Sequence, residues 1–172
     1  YKNDLKGEGW YPITHSVATT DSVDSVRNLV IADYNADPTN VKAVSIIGRV
    51  PVKMTGSVDP DGHGARPFPA DAFYGDVDGT WGAVTTLPDN IELQVGRIDL
   101  SGMSSLGSEA TLTLNYFDKL HKFSTGEFVP QNRGIVFDNL TWTNAPLAES
   151  GWRSIIPLVG SGAQNFVQTP IN

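Results

Sequence analysis

Between residues 59 and 81 the chain reads DPDGHGARPFPADAFYGDVDGTW, and five of these residues are aspartates. Asp59 and Asp61 stand two apart, as do Asp76 and Asp78, and a glycine follows each pair. Carboxylates separated by one residue can turn oxygens toward one hard cation, while the glycine permits the tight turn. The spacing matches the first half of a D-x-D-G calcium loop, without the distal glutamate of an EF-hand. The same letters arise without metal where aspartates cap their own turns. The candidate ligands for a structural Ca²⁺ are Asp76 and Asp78 first, then Asp59 and Asp61.

The same stretch contains His63-Gly64, which could place a general base at a strand end. A base needs a nucleophile to serve. The chain has no cysteine and no G-x-S-x-G elbow, so His63 reads as a loop histidine bonded to its neighbours. His15 and His121 show no metal-ligand spacing and read as structural or surface residues. Arg49 and Arg97 each follow a glycine near a strand end, and pairing with Asp71, Asp76 or Asp99 is their expected role. Phe68, Phe73, Tyr74 and Trp81 are expected to fold the loop back onto a sheet.

The elements that must position these residues follow from hydrophobic periodicity. Residues 9–17, 41–52, 91–100 and 132–139 read as strands, the second as a strand buried on both faces. Val23, Val26, Val30, Ile31 and Tyr34 fall at helical spacing, with Asp21 and Asp24 at the helix start and Pro38 beyond its end. A second helix is expected over 104–123, with Leu112, Tyr116, Leu120 and Phe123 on one stripe. A short helix within 146–160 and a last strand over 164–170 complete the pattern. Strands alternating with helices predict an α/β domain with a mostly parallel sheet flanked by helices. The 53–90 connection is far longer than the roughly two to six residues usual there, which marks it as functional or folded on itself.

The 172 residues are 40% hydrophobic and carry a net charge of −7, enough for a real core and wrong for a nucleic-acid or anionic-membrane partner. No run approaches the roughly 20 apolar residues needed to span a bilayer. Both ends read as cut, so the chain is expected to be an incomplete fragment of something longer.

With VSIIGRVPV, PADAFYGDVDGTW and IELQVGRIDLSGM in that order, the chain resembles the gingipain-like cysteine peptidases. Ile46-Ile47-Gly48, Tyr74-Gly75 and Val95-Gly96-Arg97 fill the positions of the family's apolar strand, Tyr-Gly loop and "VGR" strand. The resemblance covers roughly residues 10–140 and implies a caspase-like fold, with a first subdomain over 1–128 and the start of a second over 129–172. It implies further that the catalytic Cys-His dyad lies outside this chain. The protein would then be secreted, act on a protein or peptide substrate, and carry structural calcium. The remaining readings are a non-catalytic binding or surface-assembly module for protein, or one for glycans using Trp81 and Trp142.

Overall fold

The computed structural model describes residues 1–59, 62–81, 90–131, 134–137, 146–160 and 164–167. In chain order these form α1 (Lys2–Gly7), α2 (Val23–Ala36), β1 (Ala43–Ile47), β2 (Gln94–Ile98), α3 (Glu109–Ser124), β3 (Gly134–Phe137), α4 (Pro146–Val159) and β4 (Gln164–Val167). Short 3₁₀ turns lie at Asp71–Tyr74 and Ser101–Met103. The chain is mixed α/β, and its strands pair in parallel, β1 with β2 and β3 with β4. It divides into two compact units, Tyr1–His121 and Lys122–Asn172.

In the first unit, β1 and β2 run in register from Ala43 opposite Gln94 to Ile47 opposite Ile98. α2 begins where Ser22 Oγ accepts from the Ser25 backbone N–H at 3.0 Å, satisfying one of the free donors of the first turn. It ends at Ala36, two residues before Pro38, whose ring disfavours helical geometry in the residue before it. The strands are shorter than the apolar runs that encode them. β1 stops at Gly48, whose φ of 79° bends the chain out of the sheet, while its N–H still reaches Ile98 O at 2.8 Å.

Burial of β1 is one-sided, which corrects the expectation of a strand covered on both faces. Ile46 is 5% exposed and Val44 half-buried, whereas Ala43, Ser45 and Ile47 are exposed. Val44, Ile46 and Val95 face a cluster made by Val23 and Val26 of α2 together with Phe73, Tyr74 and Trp81. On the opposite side the Tyr1 hydroxyl comes within 3.4 Å of Ser45 Oγ, and the Tyr1 ring stacks on Phe117 of α3 at 4.6 Å.

Parallel strands need a crossover, usually a helix. Here the connection between Ile47 and Gln94 has only the Asp71–Tyr74 turn as regular helical structure among its described residues. Its apolar residues do the packing a crossover helix would otherwise do. Phe73 is fully buried, Tyr74 and Trp81 are 1% and 5% exposed, and their rings meet Phe73 edge to face at 5.3 and 5.6 Å. Burying such side chains contributes about 1.5–3 kcal/mol each. The 54–69 part doubles back on itself, with single antiparallel bridges at Met54–Pro69 and Val58–Arg66.

Arg97 on β2 holds this excursion to the sheet. Its Nε and one terminal nitrogen donate to the two Asp71 carboxylate oxygens, both at 2.8 Å. Its other terminal nitrogen donates to Val50 O at 2.7 Å, and the one that bonds Asp71 also donates to Pro51 O at 3.3 Å. The Asp71 hydrogen bond is the main cause that raises the Arg97 pKa further above its ordinary value. Pro51 O also accepts from the Tyr74 hydroxyl at 2.6 Å.

Two further expectations are corrected. Residues 9–17 form no strand. Pro12 lacks the N–H a ladder needs, and Trp10, Tyr11 and Ile13 are 48%, 87% and 53% exposed, so no buried face selects strand pairing. α3 starts at Glu109 rather than 104, because Gly107 sits at φ 150° and Ser108 Oγ accepts from the Thr111 N–H at 3.2 Å. Leu112, Tyr116 and Leu120 of its stripe are half-buried, and Phe123 is exposed. In the second unit, Gly134 of β3 lies so close to Ile155 of α4 that a Cβ there would overlap the side chain.

Two outcomes test this arrangement. Arg97→Met leaves Asp71 unpaired and should cost roughly 2 kcal/mol, between the surface and buried limits for ion pairs, read by urea denaturation. Burial raises the Tyr74 pKa above the ordinary tyrosine range. The folded state therefore holds the phenol proton more tightly, so this contribution is complete below about pH 10 and is lost as pH rises through the folded value. Tyr74→Phe should remove that alkaline loss, seen as a shallower fall in stability above about pH 10, while costing about 1 kcal/mol at neutral pH.

Candidate metal centre

Asp76 is the most deeply placed charge among the described residues, with 1% exposure. A buried carboxylate is tolerated only with its oxygens satisfied. Oδ1 accepts from the Gly79 N–H at 2.6 Å, closing a tight turn, and Oδ2 accepts from the Trp81 indole N–H at 2.6 Å. Arg27 of α2 supplies the countercharge. One of its terminal nitrogens lies 3.5 Å from Asp76 Oδ1 and donates to Gly79 O at 2.8 Å, while its Nε donates to the Asp76 carbonyl at 2.8 Å. The guanidinium also lies over the Phe73 ring, 4.9 Å from its centroid, so the polar network rests directly on the aromatic core.

Two more carboxylates converge here. Asp78 is exposed and Glu92 half-buried, and one oxygen from each of Asp76, Asp78 and Glu92 lies within 4.8 Å of the others. Glu92 is positioned by two bonds: its Oε2 accepts from the Val77 N–H at 3.0 Å, and the Leu93 N–H reaches Gly75 O at 3.0 Å. Gly75 has no room for a side chain, since a Cβ would overlap Leu93 O, Val95 and Ile91. That close approach draws the 75–78 turn against the entry to β2. Like charges at this spacing repel by roughly 1 to 3.5 kcal/mol per pair across the range from bulk water to a protein surface. Arg27 offsets only one of the three. The acidic triad could therefore hold a metal ion, with oxygen ligands of the kind hard cations take.

Asp76 and Asp78 thus come together, with Glu92 as a third member. Asp59 sits elsewhere in the network: exposed, its Oδ1 accepts from the Gly64 N–H at 3.1 Å and so caps its own turn. Asp61 and Trp142 lie outside the described residues. Trp81 is buried with its indole N–H engaged, so it presents no stacking face to a glycan. His63 is exposed. His15 bonds Asp33 at 2.7 Å and His121 bonds Asp4 at 2.8 Å, the latter lowering the Asp4 pKa. Arg49 pairs with Glu109 at 2.7 Å, and Asp71 is the loop carboxylate that Arg97 takes.

Local sequence signals mark neither Arg27 nor Glu92. Arg27 follows Val26 on α2, and Glu92 is the second residue of the run IELQVGRIDL, fourteen residues beyond Asp78. No local spacing joins either to Asp76; only the return of the chain to β2 does. No family model matches the chain, nor does any curated protein or solved structure.

The turn itself can be tested. A Cβ at Gly79 would overlap the Asp76 carboxylate, so Gly79→Ala should destabilise by about 2–4 kcal/mol. Gly102→Ala, where a Cβ meets nothing within 4 Å, should stay within about 0.5 kcal/mol of wild type. Parallel chemical denaturation of the two variants checks the difference.

Proposed function

We propose that this chain is a calcium-stiffened, non-catalytic scaffold of a secreted gingipain-like, caspase-fold peptidase, whose Cys-His dyad lies outside it. The observation that carries the reading is the convergence of Asp76, Asp78 and Glu92 at the root of the crossover, with the Asp76 carboxylate already fixed by Gly79, Trp81 and Arg27. The ordered motifs VSIIGRVPV, PADAFYGDVDGTW and IELQVGRIDLSGM support the family, and the parallel β1–β2 pair is compatible with its α/β fold. The absence of any cysteine leaves the chain without the family's nucleophile.

Calcium suits the triad better than magnesium. Ca²⁺ tolerates irregular oxygen geometry and longer bonds, whereas Mg²⁺ demands near-octahedral ligands and keeps its waters. In this role the ion would cancel the repulsion that Arg27 leaves, and tie the 76–79 turn to the entry of β2. The crossover would then stand as a firm wall beside a peptide-binding cleft. An open groove of about 400 Å³ on the same excursion, lined by Thr55, Val58, Phe68, Pro69, Ala70, Asp71 and Ala72, is compatible with that role.

The test is calcium titration of chelator-treated protein, by calorimetry and thermal unfolding. A dissociation constant of about 10⁻⁴–10⁻³ M is expected, as for extracellular calcium modules. Saturation at a hundredfold excess should stabilise by about 2.7 kcal/mol and raise Tm by roughly 5–10 °C. Asp78→Asn with Glu92→Gln should abolish the shift, and Mg²⁺ should give a smaller one. No shift at concentrations about tenfold above that range would remove calcium from the reading. Peptide hydrolysis by the purified chain, lost on mutation, would remove the scaffold role.

A further inference from the structure

The residue pair at the centre of this turn, Asp78-Gly79, has a chemical liability independent of any cation. Among aspartyl dipeptides, Asp-Gly is the most open to succinimide formation, because no side chain on the second residue shields its nitrogen. The Gly79 nitrogen gives up its proton and attacks Cγ of Asp78. A C–N bond forms, and a carboxyl oxygen departs as water, closing a five-membered imide. Water then adds to the imide at the Asp78 main-chain carbonyl, and the bond from that carbonyl to the Gly79 nitrogen breaks. The chain now runs through Cβ and Cγ as isoaspartate, with no net change in composition.

Every atom this reaction must move on the Gly79 side is restrained. The Gly79 N–H donates at 2.6 Å to Oδ1 of the 1%-exposed Asp76. The Gly79 carbonyl accepts from Arg27 at 2.8 Å, so rotating the peptide to face Asp78 breaks bonds on both sides of the residue. Asp76 is itself fixed by Trp81. Asp78, by contrast, is exposed and accessible to water. We propose that Asp78-Gly79 is a latent isoaspartate site, held shut by the hydrogen bond between the Gly79 N–H and the buried Asp76 carboxylate. Opening of that turn commits Asp78 to modification. Isoaspartate at 78 lengthens the main chain by one carbon, removes the side-chain carboxyl from its place beside Asp76 and Glu92, and blocks reclosure.

The test is prolonged incubation of the whole chain in a chelator, so that no bound cation contributes, followed by peptide mapping for isoaspartate. In the urea-denatured chain Asp78-Gly79 and Asp61-Gly62 should both convert, which calibrates the intrinsic rate. In the folded wild type, conversion at Asp78 should be at least about tenfold slower, because only the opened fraction reacts. Asp76→Ala should bring the Asp78 rate in the folded protein toward the denatured one. Trp81→Phe, which leaves the Gly79 bond in place, should not. Folding of each variant is checked by circular dichroism; if Asp76→Ala does not fold, Asp76→Asn, whose carbonyl still accepts from Gly79, should keep Asp78 slow. Conversion at Asp78 in folded wild type at the denatured rate would overturn the proposal. So would equal acceleration by Trp81→Phe and Asp76→Ala, which would show general loosening instead.

Discussion

The first unit is organised around a charge that has no access to water. Burying the Asp76 carboxylate is tolerable only because three groups from different places meet it: a backbone N–H three residues on, an indole N–H five residues on, and a guanidinium from α2. The network is therefore a geometric condition on the fold. The turn must close for Gly79 to reach Oδ1, Trp81 must be inside for its N–H to reach Oδ2, and α2 must lie against the crossover for Arg27 to span the carbonyls of Asp76 and Gly79. Failure of one condition leaves a buried charge partly unpaired, which is costly.

Among its described residues the crossover holds no α-helix, which makes this condition necessary. A helix satisfies its own backbone; an irregular segment packed against a sheet must find partners one by one. Two arginines supply much of what a crossover helix would. Arg97 reaches outward from β2 and takes Asp71 together with the carbonyl of Val50. Arg27 reaches inward from α2 and takes the carbonyls of Asp76 and Gly79. Guanidinium suits both positions because its planar fork makes several fixed bonds at once, which a lysine ammonium on a flexible stem does not. Between the two anchors lies Phe73, fully buried, with the Arg27 guanidinium 4.9 Å and the Lys53 ammonium 5.1 Å from its ring centroid.

The sequence was informative where the signal was local. The stripe from Val23 to Tyr34 and the stop before Pro38 specify α2, because periodicity and capping act within a few residues. The apolar runs containing AVSII and QVGRI specify two strands, and the unusual length of 53–90 marked that connection as functional or folded on itself. Local signal failed in two ways. Residues 9–17 have strand-forming side chains but no partner, and pairing is a property of two segments rather than one. The acidic triad depended on Glu92, whose approach to Asp78 is set by a glycine contact between Gly75 and β2. The D-x-D spacing pointed to Asp76 and Asp78, but it also marked Asp59 behind them, and there the carboxylate caps its own turn.

That difference between two similar aspartate pairs has a physical origin. Asp59 is exposed and accepts from one backbone donor five residues away among the described residues. Its charge is screened by solvent and needs no further partner. Asp76 is buried, and its donors orient the carboxylate before any ligand arrives, so little side-chain entropy remains to be lost. Asp78 and Glu92 add two charges that the single guanidinium does not balance. Rigidity and uncompensated negative charge are thus produced side by side by one constraint, the need to satisfy Asp76. A cation binding there would act on a turn held from two sides, and its effect would pass to α2 through Arg27 and to the entry of β2 through Glu92.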